Sequence, residues 1–284
     1  MNRIGEPSKK CIEASHRRCE LNDLDRNLKY SNMIIEGAAL QEILERKREL
    51  IELSMPFIEH LYNIVKGSNF FTILTDENGC ILDVIGDEKI LEEAFSLKMI
   101  PGAYMDEKNI GTNAMSLVLT EKKPIQISGE AHYINAYHKW TCSAAPIMDA
   151  NNKLIGVLDL TGYYDSVNLH TLGMVVAAVN AIEKMLEIID YNKQLVSAKR
   201  YIDTMIDSIP AGIMTSDLNG NIKTINKHIT DLFGYSEEEM MHKKAYDLFE
   251  DWDNVIKAIT LKDQYLDEDV FVNSRKNVLQ YNLS

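Results

Sequence analysis

Asp159 and His132, a carboxylate and an imidazole, could belong to a hydrolytic pair. A hydrolase would need a nucleophile converging on them, and nothing in the spacing supplies one. The chain has no GxxxxGK[ST] loop, GxSxG, HExxH or GxGxxG, so no nucleotide, serine or zinc chemistry is indicated. His132, His138 and His170 could gather a metal only if the fold brought them together, because their spacing is not that of ligands. Cys11, Cys19, Cys80 and Cys142 form no CxxC pair, which fits free thiols in a reducing compartment. No cofactor is expected. A redox or haem role for Cys142, His228 or His242 has no ligand motif behind it.

The remaining chemistry is recognition. In WTCSAAP, strand alternation places Trp140, Cys142 and Ala144 on one face and Thr141, Ser143 and Ala145 on the other. Asp159 and Thr161 share a face of GVLDLTG. Trp140 favours its own face as the inward one. A pocket lined by Trp140, Cys142, Asp159 and Thr161, with Asn113 and Met115 from a helix and His132 and Tyr133 from a loop, carries little permanent charge. No arginine lies between Arg48 and Arg200 to hold a phosphate. A small neutral ligand with one or two hydroxyl or carbonyl groups therefore fits better than a nucleotide. At a ceiling of roughly -1.5 kcal/mol per atom, a ligand of about five heavy atoms reaches low micromolar affinity at best.

These residues need elements to hold them. FFTILTDENGCILDVIG reads as a hairpin about Asn78-Gly79, and HKWTCSAAPIMDANNKLIGVLDLTG as a second about Asp149–Asn152. Between them the patterns predict a helix over Glu88–Phe95, another over Asn109–Thr120, and the short strand PIQISG. Upstream, IEASHRRCE reads as a short helix, with Ser15 of capping type. From Tyr30 to Asn63, Ile43, Leu50 and Phe57 recur at helical spacing, and Pro56 is a candidate kink. The order hairpin, helices, strand, hairpin, long helix is that of an α+β antiparallel sheet with helices packed on it, rather than an alternating enzyme fold.

The long helix is predicted from Asn168 to Thr204. Leu172, Val179 and Leu186 lie seven apart, as do Val175, Ile182, Ile189 and Val196, giving a candidate seam for signal relay in a homodimer. Its first half is expected to pack on its own domain. A last module opens with SIPAGIMTSDLNGNIKTIN, again strand, Asn-Gly turn, strand. Ser236 and Glu239 form a capping box there, followed by a helix around Trp252–Leu261 and the strands DEDVFV and VLQYNL. The expected domains are 1–66, helical; 67–187, sensor; 188–205, coiled-coil linker; and 206–284. That last sheet would be one or two strands short, so a fragment of a longer protein is expected.

Composition agrees. The 284 residues are 45% hydrophobic and 26% charged, ordinary for about two domains. The net charge of -13 argues against DNA binding by this chain alone. The first 66 residues carry no net charge; 67–199 carry -7 and 200–284 carry -6. No run is long and apolar enough for a membrane span, and MNRIGEPSKK has no apolar stretch behind it to act as a signal peptide, so a cytoplasmic location is expected.

GTNAMSLVL, GEAHYINAYHKWTCSAAPIMDANNKLIGVLDLTG and HTLGMVVAAVNAIEKMLE resemble the GAF sensor domain of sigma-54-dependent transcriptional activators that regulate acetoin, glycerol and small-alcohol catabolism. IEASHRRCE is similar to the segment preceding that domain, so the resemblance covers residues 11–190 or so. SIPAGIMTSDLNGNIKTINKHITDLFGYSEEEM is similar to a PAS domain, a signature shared by many sensors. The family pattern GTNAIG is GTNAMS here, with Met115 and Ser116 changing the pocket helix, so effector identity does not transfer. The resemblance implies a GAF domain preceded by helices and followed by a helical linker and a PAS-like domain. It implies the regulatory half of an activator whose full-length form acts on sigma-54 RNA polymerase. Effector binding in the GAF domain would be relayed through the linker; the alternative is a ligand-free dimerisation and relay module whose input is a protein partner.

Overall fold

The two hairpins form as their turns require, and between them they build one sheet. The computed structural model describes residues 7–166, 169–217, 219–248, 268–273 and 278–283. The chain divides into two compact units, Met1–Tyr191 and Asn192–Ser284.

In the first unit, α1 (Lys9–Leu21), α2 (Gly37–Arg46) and α3 (Arg48–Val65) precede β1 (Phe70–Asp76) and β2 (Ile81–Gly86). Next come α4 (Glu88–Ser96), α5 (Glu107–Ile110), α6 (Ala114–Glu121), β3 (Ile125–Ser128), β4 (Trp140–Met148), β5 (Leu154–Tyr163) and α7 (Leu169–Ser208). The strands lie in the order β2-β1-β5-β4-β3, every neighbouring pair antiparallel. Strand β5 is therefore central, with a partner on each side. The Glu77–Gly79 turn closes through Asp76, whose carboxylate accepts from the backbone N–H of Asn78 and Cys80, while Gly79 takes a φ of 84°.

Period-two alternation gives the sheet two apolar faces, and each has its own cover. Phe71, Ile73, Ile125, Ile127, Trp140, Cys142, Ala144 and Val157 look toward α4, α6 and the loops around residues 99–113 and 129–138. Phe70, Leu74, Ala145, Ile147, Leu158 and Leu160 look toward α3 and the first half of α7. Burying each of the Val, Leu, Ile and Phe side chains among them contributes about 1.5–3 kcal/mol, and the amphipathic stripe of α3, from Leu50 through Ile58 and Leu61 to Val65, meets this second face.

Three local expectations change. The predicted helix Asn109–Thr120 is two helices, because Gly111 at φ 78° ends α5 and Asn113 caps α6. Pro56 remains inside α3. Ser8, rather than Ser15, caps α1 by accepting from the N–H of Cys11.

The second unit contains β6 (Met214–Ser216), β7 (Ile222–Ile225), α8 (Lys227–Phe233), α9 (Glu237–Met241), α10 (Ala245–Leu248), β8 (Glu268–Asn273) and β9 (Val278–Leu283). Strands β6 and β7 pair antiparallel, as do β8 and β9. Ser236 and Glu239 form the expected capping box of α9. Its core gathers Ile222, Ile229, Phe233, Met240, Ala245 and Leu248. The helix expected at Trp252–Leu261 lies outside the described residues.

Candidate functional site

Register decides what the central strand presents. Cys142 pairs with Thr161 and Ala144 with Asp159 across β4 and β5, while Phe71 and Ile73 of β1 flank Thr161 and Asp159 on the other side. Directly paired residues share a face, so Trp140, Cys142, Asp159 and Thr161 all point into the first apolar layer. Asp159 and Trp140 are both fully buried there.

The polar groups form a chain. The Thr161 hydroxyl lies 2.6 Å from Asp159 Oδ2 and 3.0 Å from Cys142 Sγ. Cys142 Sγ is 3.3 Å from His132 Nε2, and His132 Nδ1 is 3.1 Å from the Gly129 carbonyl. Burial raises the Asp159 carboxyl to about 7 and lowers the His132 imidazole to about 4. Burial, with Asp159 beside it, also pushes the Cys142 thiol well up, so this cysteine is no reactive thiolate. In this layer two atoms are left over. Asp159 Oδ1 and Trp140 Nε1 are buried and have no hydrogen-bond partner among the described residues. An unmade bond of this kind costs about 1–3 kcal/mol, which a polar atom of a water or a ligand beside it would recover.

Aromatic rings wall the site. Tyr137 stacks on Trp140, Phe71 meets it edge-on, and His132 meets Tyr137 edge-on. Lys139 lies over the indole with its Nζ 4.9 Å from the ring centroid, and it pairs with Glu93, which also accepts from the Tyr163 hydroxyl at 2.6 Å.

The other candidate pocket residues have local structural duties. The Asn113 side chain caps α6, accepting from Ser116 N–H at 3.0 Å and donating to the carbonyls of Met105 and Gly111 at 2.9 Å. Its polar atoms are thus committed to the backbone. Met115 is buried in the same layer. Tyr133 donates its hydroxyl to the Leu24 carbonyl at 2.9 Å, with Arg26 over its ring.

That Tyr133 contact belongs to a feature periodicity did not reveal. Helix α1 and the chain after it lie across the loops that cover the site. Arg18 grips Glu107 with two charge-assisted bonds, Nε to Oε1 at 2.6 Å and Nη2 to Oε2 at 2.7 Å. Buried Ser15 pairs with Thr112 at 2.7 Å, and Asn135 N–H donates to the Arg26 carbonyl at 2.9 Å. Gly111 allows the approach: a Cβ there would stand 2.9 Å from Tyr133 and 3.0 Å from Leu24. In the sequence, beyond the IEASHRRCE resemblance, the signal was Ser15 and Cys19, small residues four apart on one face of the helix.

The first half of the candidate seam packs on its own domain, as expected, and is not open to a partner. Leu172, Val175, Val179 and Ile182 are buried, the last three in the core against the sheet, with Leu186 packed at its edge. Their heptad spacing faces their own domain, because a helix stripe reads the same whatever covers it. Ile189 is partly buried and Val196 is exposed. The exposed apolar residues of α7 include Ile188, Leu195 and Ile202, seven apart, and Tyr191 and Met205.

In the second unit, buried Asn226 accepts from the N–H groups of Ile213 (2.8 Å) and Ile229 (3.1 Å). It donates to the carbonyls of Ile206 (3.2 Å) and Ala211 (2.8 Å). His228 and His242 are exposed. Among the described residues no group of three or more His, Cys, Asp or Glu side chains could hold a metal, and no helix is long and apolar enough to cross a membrane.

Comparison with known proteins places these features. A family model for the GAF domain matches residues 37–186, and one for the PAS fold matches residues 200–270. The signal-transduction and transcriptional-control protein of Clostridium beijerinckii is 34% identical over 96% of this chain and 43% of its own length. The acetoin dehydrogenase operon transcriptional activator AcoR of Bacillus subtilis is 28% identical over 71% of this chain and 33% of its own. The PTS-dependent dihydroxyacetone kinase operon regulatory protein of Escherichia coli is 23% identical over 67% and 30%. The chain thus spans less than half the length of these relatives. Among solved structures, a chain of the E. coli DhaR(N)-DhaL complex shares the fold at a TM-score of 0.85 and 19% identity, over 96% of this chain and 92% of that one.

Proposed function

This chain belongs to the GAF domain family, and on that premise we propose that it is the signal-sensing regulatory region of a transcription activator. Its GAF domain binds a small uncharged metabolite at the Trp140–Asp159 face. The observation that carries this reading is the pair of buried, unpartnered atoms, Asp159 Oδ1 and Trp140 Nε1, on one face of the sheet. The similar regulators are named for acetoin, glycerol and dihydroxyacetone operons, and those compounds are small, neutral and hydroxyl-bearing.

The relay follows from strand alternation. Ser143 is the neighbour of Cys142 and points to the opposite face. There its hydroxyl bonds Gln126 at 2.8 Å and lies 3.3 Å from Thr171 in the first turn of α7; Gln126 also bonds Thr171 at 2.9 Å. A shift of β4 under a ligand on the Cys142 side therefore reaches α7 directly. In a homodimer joined through the exposed residues of α7, it passes to the PAS domain and on to a transcriptional output domain acting on sigma-54 polymerase.

A thermal-shift screen of short alcohols, diols, hydroxyketones and glycerol at about tens of millimolar tests the reading, since a weak ligand stabilises only near or above its dissociation constant. A selective upward shift lost in Trp140→Ala supports it. A well-folded protein with no selective shift favours a second reading, a relay module whose input is a protein partner. The similar fold of a regulator chain crystallised with DhaL supports that alternative.

A further inference from the structure

We propose, building on the sensing role above, that Asp159 is held as an uncharged carboxylic acid at the head of a one-way hydrogen-bond chain. Its second oxygen then accepts the hydroxyl proton of an uncharged ligand.

The proton count carries this. The chain has four links: Asp159 Oδ2 to Thr161 Oγ1, Thr161 Oγ1 to Cys142 Sγ, Cys142 Sγ to His132 Nε2, and His132 Nδ1 to the Gly129 carbonyl. A carbonyl only accepts, so His132 Nδ1 bears a proton. One proton must then sit in each of the other three links. If Asp159 is protonated, it donates to Thr161, Thr161 to Cys142, Cys142 to His132, and all four side chains are neutral. The same protons can also run backward, but only with an Asp159 carboxylate and a His132 imidazolium. That order puts two charges, separated by two side chains, into a fully buried apolar layer, and burial strongly disfavours it. The raised Asp159 and lowered His132 pKa values point the same way.

A neutral Asp159 leaves Oδ1 as a pure acceptor, and the Trp140 indole nitrogen is a pure donor. Oδ1 asks for a donor and the indole nitrogen for an acceptor, and a hydroxyl group can supply either. An anion would enter without a countercharge: Lys139 stands over the indole and is already paired with Glu93. An alkylammonium ion would need Asp159 ionised.

Other titratable groups lie near this layer. Cys142 and Tyr137, raised by burial, face it from β4 and the preceding loop. Tyr163 and Glu93 stand at the rim, the Arg18–Glu107 pair lies on the cover, and His16 and His138 touch the Ala131 and His132 carbonyls. Asp159→Asn separates Asp159 from all of them. Its amide donates to Thr161 as the acid does and keeps Oδ1 as the acceptor, but it does not titrate.

The test uses the whole chain. Infrared difference spectra at pH 6 should show the carbonyl stretch of a protonated acid that disappears in Asp159→Asn; its absence from the parent protein overturns the proposal. With 1,2-propanediol and acetoin as probes, Asp159→Leu should weaken binding about tenfold or more, and Asp159→Asn should restore it to within about twofold. Binding to the parent should fall above pH 7, and binding to Asp159→Asn should stay flat. A folded Asp159→Asn that loses the probes, or a parent that prefers ethylamine or acetate, overturns the proposal. If the acid band is present but neither probe shifts the parent, the acceptor role fails together with the sensing reading. A missing band with intact probe binding sinks this proposal alone.

Discussion

Tyr137 stacks on Trp140 with 5.7 Å between ring centroids and 29° between planes, and Phe71 meets the same indole edge-on at 5.6 Å. The indole is therefore clamped on two sides while its one polar atom finds no partner. Packing and recognition can be separated by substitution. Trp140→Phe keeps an aromatic ring in the clamp and removes only the indole nitrogen and part of the volume. It should leave the protein folded while lowering affinity for diols and hydroxyketones. Trp140→Ala should lose binding and also cost roughly 3–5 kcal/mol in urea denaturation. Equal ligand affinity in Trp140→Phe and the parent would show that the indole N–H makes no ligand contact.

Stability should depend on pH through two opposed groups. Asp159 is raised to about 7 in the folded chain, so the folded state binds the extra proton and Asp159's contribution falls as pH rises from about 4 to 7. His132 is lowered to about 4, so the unfolded state binds the extra proton and stability rises with pH from about 4 to 6.5. In the parent the two slopes oppose each other over most of that window. Asp159→Asn leaves the His132 slope alone, so its stability should climb by about 3 kcal/mol from pH 4 to 6.5. It should exceed the parent above pH 7 by on the order of 4 kcal/mol. Denaturant titrations at pH 4.5, 6 and 8 check this; parallel profiles for the two proteins would refute it.

Arg18→Ala should loosen α1 without unfolding the sheet. The bidentate pair with Glu107 is partly exposed, with side-chain exposures of 45% and 15%, so a loss of about 1–2 kcal/mol is expected. Hydrogen exchange should quicken at the backbone amides of Ser15–Leu21 and stay slow in β4 and β5. Because α1 ties down loops covering the Trp140–Asp159 face, association of a diol with the proposed site should also speed up. Unchanged exchange in α1 would mean that its other contacts, through Ser15, His16 and Cys19, suffice to hold it.

Asn226→Ala removes four backbone hydrogen bonds at once from the PAS domain, two of them at Ile206 and Ala211 near the end of α7. A cost of about 2–4 kcal/mol to that domain is expected, with the GAF domain unaffected. Asn226→Asp keeps both acceptor contacts but sets a buried carboxylate oxygen against the Ile206 and Ala211 carbonyls, so it should cost at least as much. Limited proteolysis and domain-resolved hydrogen exchange measure both.

For oligomerisation, Leu195→Lys should shift a dimer toward monomer in sedimentation experiments, because Leu195 is 62% exposed on a helix that repeats apolar residues at seven. Val175→Lys should instead unfold the GAF domain, because Val175 is fully buried against the sheet. An unchanged sedimentation coefficient for Leu195→Lys would exclude this part of the helix from any interface.

What the sequence by itself determined was local. Alternation in WTCSAAP and GVLDLTG put Trp140 with Cys142 and Asp159 with Thr161, because a strand has a period of two whatever surrounds it. Asn78-Gly79 and the Ser236–Glu239 box marked a turn and a cap, because their bonds close within a few residues. The tertiary structure decided what pairing across distance supplies. It set Cys142 opposite Thr161 and brought His132 onto the thiol, making one chain from residues that the sequence only grouped. It also turned the stripe from Leu172 to Ile182 inward, since an apolar stripe does not say which surface will cover it. Gly111 broke the helix expected at Asn109–Thr120 where Leu24 and Tyr133 close in. The lay of α1 over the site was least legible, because its contacts, such as Arg18 with Glu107, join residues far apart in the chain and follow no periodicity.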